Sequence, residues 1–460
     1  MRKLATLFIS ATLILSAITA ANAVEITGGQ KEVGSRDVAS NGTVSAVTWG
    51  KRISDDSSKI WVSYKRGGTA WTTKQSLGTI EWSPFATPQV TVRPDGSIFV
   101  AWLDDDQVDY RELAADSTTW SDLTLLTDSS VSGQWFNDLD VTSSGDSVTI
   151  AGVRSLQDSL KYVSWTRLDN QSSWNYSEIA NAMNSGVFGS CSKAKPEACN
   201  YSVFDIRIAS NENGNQVMSW LTYRETNGWK AEMKGSTFAI FTARRSSPSE
   251  SWSAAQKIDA ITFKAKVQYY AYFVGTLLIT PQGKSAISWM TGYNSTPISV
   301  HVSVSNNIGT AFSEVEKTQL SKGGESNQIN LTNIGENIWC EYYYYPTVGA
   351  DAKIRVGKIG DMANAKLSNF ADQYTIDGFT NDGSSPVILA SLDDGAKANT
   401  LFAFTKTANG WKDRVEVLTL ASGNGDVASI DFVVVGGVNV VAAVGATANK
   451  WDLGIELGSI

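Results

Sequence analysis

The chain is poor in the residues that build metal and redox sites. Its 460 residues include three cysteines, one histidine and nine prolines. Because His301 is the one histidine, histidine-rich zinc centres, haem ligation and Ser-His-Asp catalysis are disfavoured. No metal site and no cofactor are therefore predicted. Calcium at Asp104–Asp106 stays open as an alternative, although the spacing is not that of an EF-hand.

A second long apolar run is also missing. Residues 1–23 have the organisation of a secretory signal peptide: Arg2 and Lys3 precede the apolar segment 4–18, and Ala21-Asn22-Ala23 offers a small-residue cleavage site. No further run of about 20 apolar residues follows, so no membrane anchor is predicted. The sequence predicts a secreted or cell-surface protein that begins near Val24, after cleavage near Ala23.

Clusters of positive charge are absent as well. The formal net charge is −8, and removal of Arg2 and Lys3 with the signal peptide makes it −10 (−8 minus 2). An acidic chain without a basic cluster is a poor partner for nucleic acid or for anionic membranes. The predicted partners are a glycan or an extracellular protein, and the chain itself is predicted to be a monomer.

The three cysteines have different surroundings. Cys191 and Cys199 flank a polar stretch, and because export favours oxidation we predict a disulfide between them, with two free thiols as the alternative. Cys340 lies in an apolar strand pattern and is predicted to be a small core residue.

What the chain does contain is a repeated unit. Residues 90–102 show it clearly: an apolar strand, the turn Asp95-Gly96, and a second strand that ends on Trp102, with Trp120 opening a further strand. The unit returns about eight times at intervals of roughly 50 residues, a period typical of propellers and solenoids. The first-turn glycines are predicted to be Gly42, Gly96, Gly145, Gly214, Gly283, Gly335, Gly395 and Gly437. The recurring tryptophans are predicted to be packing residues between sheets.

Four short strands per unit predict an all-β protein, a single β-propeller of four-stranded blades over residues 24–460. Eight blades are predicted, with seven as the alternative. The last unit holds three strands, so the segment 24–26 is predicted to supply the missing strand and close the ring. Two long loops, at about 181–203 and 222–272, interrupt the regular spacing.

The units resemble the degenerate repeats of bacterial secreted propellers of the sialidase-like (BNR-type) group. Residues 95–102, followed by 119–123, carry the resemblance, which extends over nearly the whole mature chain. It implies a β-propeller fold. Sialidases also share Asp boxes and a Phe-Arg-Ile-Pro segment, and neither is present here, so no catalytic residue of that family is transferred to this chain.

Aromatic and charged residues are expected in the loops that join the strands at one face of the propeller. Sugars need flat apolar rings beside polar groups, because a pyranose has an apolar C–H face and a rim of hydroxyls. The predicted ligand-binding residues are Trp82, Phe85, Trp135, Phe136, Phe204, Tyr270, Tyr272, Arg154, Arg224 and Glu341. For each ring, packing under a loop is the alternative.

These features predict a secreted, non-catalytic propeller that binds a glycan or another extracellular surface ligand. One alternative is a protein-interaction or cell-surface scaffold that uses the long loops. Another is a sialidase-like glycoside hydrolase, which needs two carboxylates about 5–10 Å apart. Candidate carboxylates are Asp104–Asp106, Asp158, Asp205 and Glu341. No catalytic residue is assigned.

Overall fold

The protein is built from β-strands. The computed structural model describes residues 24–25, 33–81, 87–104, 107–126, 134–145, 147–156, 159–169, 171–181, 200–225, 236–262, 270–293, 298–319, 325–345, 353–362, 365, 367–369, 374–392, 400–408, 410–412, 414–419, 427–435, 439–446 and 454–455. These residues form eight separate sheets, and seven of the eight have four strands. None of the described residues belongs to a helix long and apolar enough to span a membrane.

Sheets 1 to 4 each consist of four strands that are consecutive in the chain and hydrogen-bonded in chain order. Sheet 1 contains β2 (Val33–Ser40), β3 (Val44–Arg52), β4 (Ser57–Arg66) and β5 (Gln75–Glu81). Sheet 2 contains β6 (Gln89–Val92), β7 (Ile98–Asp104), β8 (Gln107–Leu113) and β9 (Thr124–Leu125). Sheet 3 contains β10 (Gln134–Ser144), β11 (Ser147–Leu156), β12 (Ser159–Leu168) and β13 (Asn175–Asn181). Sheet 4 contains β14 (Asn200–Ser210), β15 (Gln216–Glu225), β16 (Thr237–Arg245) and β17 (Gln256–Thr262).

Sheets 5 and 6 follow the same plan, sheet 7 has a fifth strand because its third strand pairs with two later strands, and sheet 8 joins the two ends of the chain. Sheet 5 contains β18 (Tyr270–Ile279), β19 (Ser285–Tyr293), β20 (Ser299–Ser305) and β21 (Ser313–Gln319). Sheet 6 contains β22 (Glu325–Ile334), β23 (Asn337–Tyr345), β24 (Lys353–Lys358) and β25 (Leu367–Asn369). Sheet 7 contains β26 (Tyr374–Asn381), β27 (Pro386–Leu392), β28 (Thr400–Thr407), β29 (Gly410–Trp411) and β30 (Val415–Thr419). Sheet 8 contains β31 (Val427–Val435), β32 (Asn439–Ala446), β33 (Gly454–Ile455) and β1 (Val24–Glu25).

The N-terminal strand β1 is the outer strand of sheet 8, as the sequence predicts. Val24 is paired with Ile455 and Glu25 with Gly454, in antiparallel register. The first strands of successive sheets also contact one another from β2 to β31, and β31 contacts β2. The predicted all-β architecture of four-stranded antiparallel sheets is thus confirmed, and the arrangement is consistent with a propeller.

The predicted glycine turns hold for six of the eight units. Gly96, for example, has a φ of 90° in the turn between β6 and β7, a conformation that glycine adopts without a steric penalty. In sheet 7 the prediction of Gly395 is wrong, because the turn between β26 and β27 is formed at Gly383, with a φ of 85°. There the Asp382 carboxylate accepts the backbone N–H groups of Ser384 and Ser385. Gly437 lies outside the described residues.

Large aromatic residues fill the space between sheets, as predicted. Among the largest fully buried side chains are Trp49, Trp102, Trp220 and Trp289, one each in the second strands of sheets 1, 2, 4 and 5. Burying an indole removes about 200 Å² of apolar surface from water, worth roughly 5 kcal/mol at about 25 cal/mol per Å². Each described core cluster joins two neighbouring sheets, from sheets 1 and 2 through sheets 6 and 7. Cys340 is a buried free thiol in this core, which confirms its predicted role.

Carboxylates on the first strands link one sheet to the next. The first strand is an edge strand, and its N–H groups need acceptors from outside the sheet. Three described aspartates accept such a bond at 2.7 to 2.8 Å from the next first strand: Asp37 from Val90, Asp138 from Ile206 and Asp140 from Ile208. These bonds fix the relative height of neighbouring sheets.

Candidate functional site

Several predicted site residues lie outside the described part of the chain. They are Trp82, Phe85, Cys191, Cys199, Asp105, Asp106 and Asp158. Their roles, including the disulfide, stay predictions. Within the described residues, no group of three or more His, Cys, Asp or Glu side chains could hold a metal ion.

Four of the predicted aromatic residues lie in first strands and not in the connecting loops where the sequence analysis placed them. Trp135 is paired with Ser155 in sheet 3, and Phe204 with Leu221 in sheet 4. Tyr270 and Tyr272 are paired with Tyr293 and Thr291 in sheet 5. The paired first strands are longer than the sequence pattern indicates. Aromatic residues are good strand formers, so their presence does not mark the end of a strand. The side chains of these four residues lie outside the described part of the structure.

Phe136 is a core residue. Its side chain is 5% exposed, and its ring centroid lies 5.6 Å from that of Trp165. It belongs to the apolar cluster between sheets 2 and 3. A β-bulge separates Phe136 from Leu139, the next buried residue of β10. Because a bulge interrupts the alternation of side chains between the two faces, the sequence pattern could not show which face Phe136 occupies. In this structure Phe136 therefore takes the packing alternative.

Glu341 lies inside β23 and is completely buried. The side-chain amide of Asn330 donates to its Oε2 atom at 3.1 Å, whereas Oε1 has no partner among the described residues. Burial raises the pKa of Glu341 to about 8, so the carboxyl is largely neutral at pH 7. Its neighbour Tyr342 is buried as well, facing the opposite side of the strand. The loop placement of Glu341 is corrected: it is an interior group between sheets.

The two predicted arginines are half-buried near the ends of second strands. Arg224, in β15, has an Nη1 atom that is buried and without a partner among the described residues. Arg154, in β11, takes part in a group of polar and aromatic residues on sheet 3 that the sequence analysis did not identify. We call this group the Arg154 surface: Arg154, Lys161, Tyr176 and Glu178.

The Arg154 surface combines an exposed ring with charged side chains. The Tyr176 side chain is 41% exposed, and the Arg154 guanidinium carbon lies 5.9 Å from its ring centroid. Arg154 Nη1 also donates to the Tyr176 hydroxyl at 3.4 Å. Lys161 Nζ contacts Glu178 Oε1 at 2.6 Å, and the Tyr176 hydroxyl donates to the same oxygen at 3.4 Å. The result is one continuous polar rim around an aromatic ring.

Strand pairing explains why these residues meet. Arg154 is directly opposite Lys161 across β11 and β12, and Val163 is opposite Glu178 across β12 and β13. Side chains that are opposite one another share a face of the sheet. Tyr176 lies opposite Trp165, whose ring centroid is 5.7 Å away and supports it from within the sheet. Desolvation raises the pKa of Tyr176, so its hydroxyl stays protonated and can donate a hydrogen bond at neutral pH.

A second group of charges lies on the first strands of sheets 3 and 4. Asp205 has a φ of 57°, a left-handed conformation that is unfavourable for a residue with a Cβ atom. The Nη2 atom of Arg207 contacts the Asp205 carboxylate at 2.8 Å. Arg207 also donates to the carbonyl oxygen of Gly275 in sheet 5. Burial raises the pKa of Asp140 to about 6 and raises that of Asp138 as well.

The chemistry available to these carboxylates is limited by their existing bonds. Asp138 and Asp140 each accept two backbone N–H groups, one from the following residue and one from β14. A general acid or nucleophile needs an oxygen that can reach a substrate. Asp138, Asp140 and Arg207 therefore hold sheets 3, 4 and 5 together through hydrogen bonds.

The single histidine is also part of the interior. His301 stacks on Trp289 with ring centroids 5.0 Å apart. Its Nδ1 atom contacts Glu314 Oε1 at 2.6 Å and its Nε2 atom contacts the Thr291 hydroxyl at 2.9 Å. Both ring nitrogens thus have partners, as a buried imidazole requires.

Comparison with known proteins identifies similar folds at low identity. No family model matches the chain, and no curated protein matches it. Similar solved structures include an ulvan lyase bound to a GlcA-Rha3S saccharide (10% identity, 86% of this chain and 94% of that chain, TM-score 0.47). Others are the β-propeller domain of the trilobed protease from Pyrococcus furiosus (10%, 84% and 97%, 0.42) and a Hadza microbial sialidase (9%, 95% and 94%, 0.38). Because these scores are low, the functional argument rests on the residues of this chain.

Proposed function

We propose that this protein is a secreted, eight-bladed β-propeller that binds a glycan without cleaving it, and that the Arg154 surface is part of its binding site. The observation that carries the proposal is the exposed Tyr176 ring, with Arg154, Lys161 and Glu178 around it. A sugar ring can lay its C–H face on the tyrosine while its hydroxyls bond to the charged rim.

The eight-blade architecture is supported by the closed order of contacts. Each first strand contacts the next, and the last contacts the first. The pairing of β1 with β33 joins the two ends of the chain within one sheet. A ring closed in this way is rigid, and rigidity lowers the entropy lost when a ligand binds to groups on its surface.

The absence of catalysis in the proposal is supported by the state of the carboxylates. Glu341 is buried and largely neutral, and the described first-strand aspartates Asp138 and Asp140 are used as acceptors for backbone N–H groups. Glu178 is bound to Lys161. A glycosidase needs a free acid beside a second carboxylate across the scissile bond.

Replacement of Tyr176 by alanine is expected to weaken glycan binding by roughly tenfold, equivalent to about 1.4 kcal/mol, because the stacking surface is removed. R154Q is expected to weaken it through loss of a charged donor. We would select a ligand from a glycan array and measure affinity by calorimetry. V415A is the matched control, since Val415 is a similarly exposed apolar residue on the outer part of sheet 7.

Two outcomes would contradict the proposal. Equal affinity of Y176A, R154Q and V415A for the selected glycan would remove the Arg154 surface from the binding site. Turnover of the bound glycan by the wild-type protein would make it an enzyme. If the array shows no binder, a pull-down from the native extracellular fraction, with and without residues 181–203, tests the scaffold alternative.

A further inference from the structure

The one histidine of the chain lies in a row of three hydrogen-bonded side chains on sheet 5. The His301 Nε2 atom contacts the Thr291 hydroxyl at 2.9 Å, and its Nδ1 atom contacts Glu314 Oε1 at 2.6 Å. The three residues come from three consecutive strands, β19, β20 and β21. We call Thr291, His301 and Glu314 the His301 triad.

Strand register brings the triad together on the face of sheet 5 that is turned towards sheet 4. His301 is directly opposite Trp289, and Thr291 follows Trp289 by two residues, so these side chains share one face. Trp289 belongs to the apolar cluster between sheets 4 and 5, which identifies that face. A β-bulge in the pairing of β20 with β21 sets Glu314 on the same face, within reach of His301.

The imidazole is held in one orientation. It stacks on the Trp289 indole with ring centroids 5.0 Å apart and 9° between the planes. The indole in turn donates from Nε1 to Asp259 Oδ2 of sheet 4 at 2.9 Å. Because a carboxylate can only accept a hydrogen bond, Glu314 selects the His301 tautomer with the proton on Nδ1. The Nε2 lone pair is then directed at the Thr291 hydroxyl, which is the donor of that bond.

The three groups differ in exposure in the way that a reaction at the hydroxyl requires. His301 is 4% exposed, whereas Thr291 is half-buried and the Glu314 side chain is 44% exposed. A base that is shielded from water keeps strong hydrogen bonds, because the local dielectric constant is low. Lys317 is directly opposite His301, shares its face and is exposed. Its ammonium group can stabilise negative charge that develops beside Thr291.

We propose that Thr291 is a nucleophile for short acyl esters, with His301 as its general base and Glu314 as the residue that positions the imidazole. A weak oxygen nucleophile is activated when its hydroxyl is hydrogen-bonded to a base that a carboxylate orients. One such site needs one histidine, so the scarcity of histidine in the sequence does not exclude it. The triad is separate from the Arg154 surface, which lies on sheet 3.

The reaction has two steps, and water is the co-reactant. In the first step Thr291 Oγ1 bonds to the acyl carbon, its proton passes to His301 Nε2, and the ester C–O bond breaks as the alcohol leaves with that proton. In the second step a water molecule gives a proton to Nε2 while its oxygen attacks the acyl carbon. The carboxylic acid is released, and the proton returns to Thr291 Oγ1. The partly buried Ile258 and Ile261 of β17 pack at the same interface and favour a short apolar acyl group.

Hydrolysis of p-nitrophenyl acetate tests the proposal. Wild-type protein is expected to hydrolyse the ester saturably, with many turnovers and faster than buffer alone. T291V removes the hydroxyl and keeps the size of the side chain, and H301Q removes the base. Each is expected to lower kcat by at least about a hundredfold. T262V is the matched control with the kcat of wild type, because Thr262 is an exposed threonine whose hydroxyl contacts that of Thr237 at 2.8 Å.

Covalent labelling separates chemistry from packing. A fluorophosphonate probe for activated hydroxyls is expected to add once to wild type, at Thr291, and not to add to T291V, as read by intact mass and peptide mapping. E314Q is expected to lower kcat and the labelling rate at least about tenfold at unchanged KM, because glutamine can donate to Nδ1 and favour the other tautomer. E314D is expected to restore part of both rates. Thermal unfolding checks that each variant is folded.

Three outcomes would each overturn the proposal. The first is hydrolysis by the wild-type protein no faster than in buffer. The second is a folded T291V protein that turns over the ester at the wild-type rate. The third is a fluorophosphonate label on a residue other than Thr291.

Discussion

Replacement of Gly275 by alanine is expected to destabilise the protein by at least about 3 kcal/mol, near or beyond the upper end of overpacking costs. A Cβ atom at this position would lie 2.2 Å from the Ile329 carbonyl oxygen and 2.5 Å from the Ser288 hydroxyl. The Ile329 carbonyl belongs to the backbone and cannot be moved by rotating a side chain, and rotation of Ser288 would break the bond that its hydroxyl accepts from the Thr276 N–H. Gly275 lies in the bulge of β18 between Val274 and Leu277, where the backbone of sheet 5 approaches sheet 6.

The same substitution also affects the hydrogen bond that joins sheets 4 and 5. Arg207 donates to the Gly275 carbonyl oxygen while it holds Asp205, so a shift of β18 is transmitted to β14. Urea unfolding followed by tryptophan fluorescence measures the loss. G68A is the control, because no atom lies within 4 Å of the Cβ that would be added there. A G275A protein as stable as G68A would show that sheets 5 and 6 can separate without cost.

The stability of the protein is expected to fall as the pH rises from about 6 to about 8, and Glu341 is the main cause. Its pKa is raised from 4.5 to about 8 in the folded state, so the folded protein retains a proton that the unfolded chain has lost. This contribution is fully present below pH 4.5 and is lost as the pH rises through 8. Between pH 6 and pH 8 the free energy of unfolding is expected to fall by about 2 kcal/mol for this reason.

The variant E341Q is expected to remove most of this dependence. Glutamine keeps an oxygen for the Asn330 amide but carries no charge, so its stability changes less between pH 6 and pH 8. Thermal unfolding at several pH values compares it with wild type and with E81Q, which alters an exposed carboxylate of β5. Asp109 and Asp140, with pKa values raised to about 6, act in the lower window from 3.8 to 6. If E341Q and E81Q show the same slope above pH 6, another group is responsible.

The glycine turns show how far local sequence patterns can be followed. Asp95-Gly96 is correctly identified as a hairpin turn, because apolar strands flank it on both sides. In sheet 7 both Asp382-Gly383 and Asp394-Gly395 have the composition of a turn. Strand pairing decides between them. The first and second strands of the sheet, β26 and β27, are paired on either side of Gly383. The strand that follows Gly395 contains Leu401 and is the third strand of the sheet, so Gly395 precedes the third strand and not the second. A local motif cannot report which strand it precedes.

The candidate binding residues show what local sequence patterns do not reveal, namely which side chains of separate strands meet. The sequence predicted Arg154 as a charged binding residue in a connecting loop, but Tyr176 and Lys161 carried no signal that distinguished them from other strand residues. They meet because β12 and β13 are paired with a bulge between Tyr162 and Val163, which shifts the register by one residue. A one-residue shift moves every later side chain to the other face, and sequence alternation does not reveal where it occurs.

The sequence by itself determined the class of fold, the four-strand repeat, the strand that joins the two chain ends and the packing role of Cys340, because these depend on local periodicity and turn chemistry. Only the tertiary structure decided that Phe136 and Glu341 are interior, that Tyr176 is exposed beside Arg154, and that Lys59 and Lys74 lie over the Trp61 ring. Those properties depend on register and on the approach of separate strands, which are set by the summed packing of whole sheets and not by any one segment.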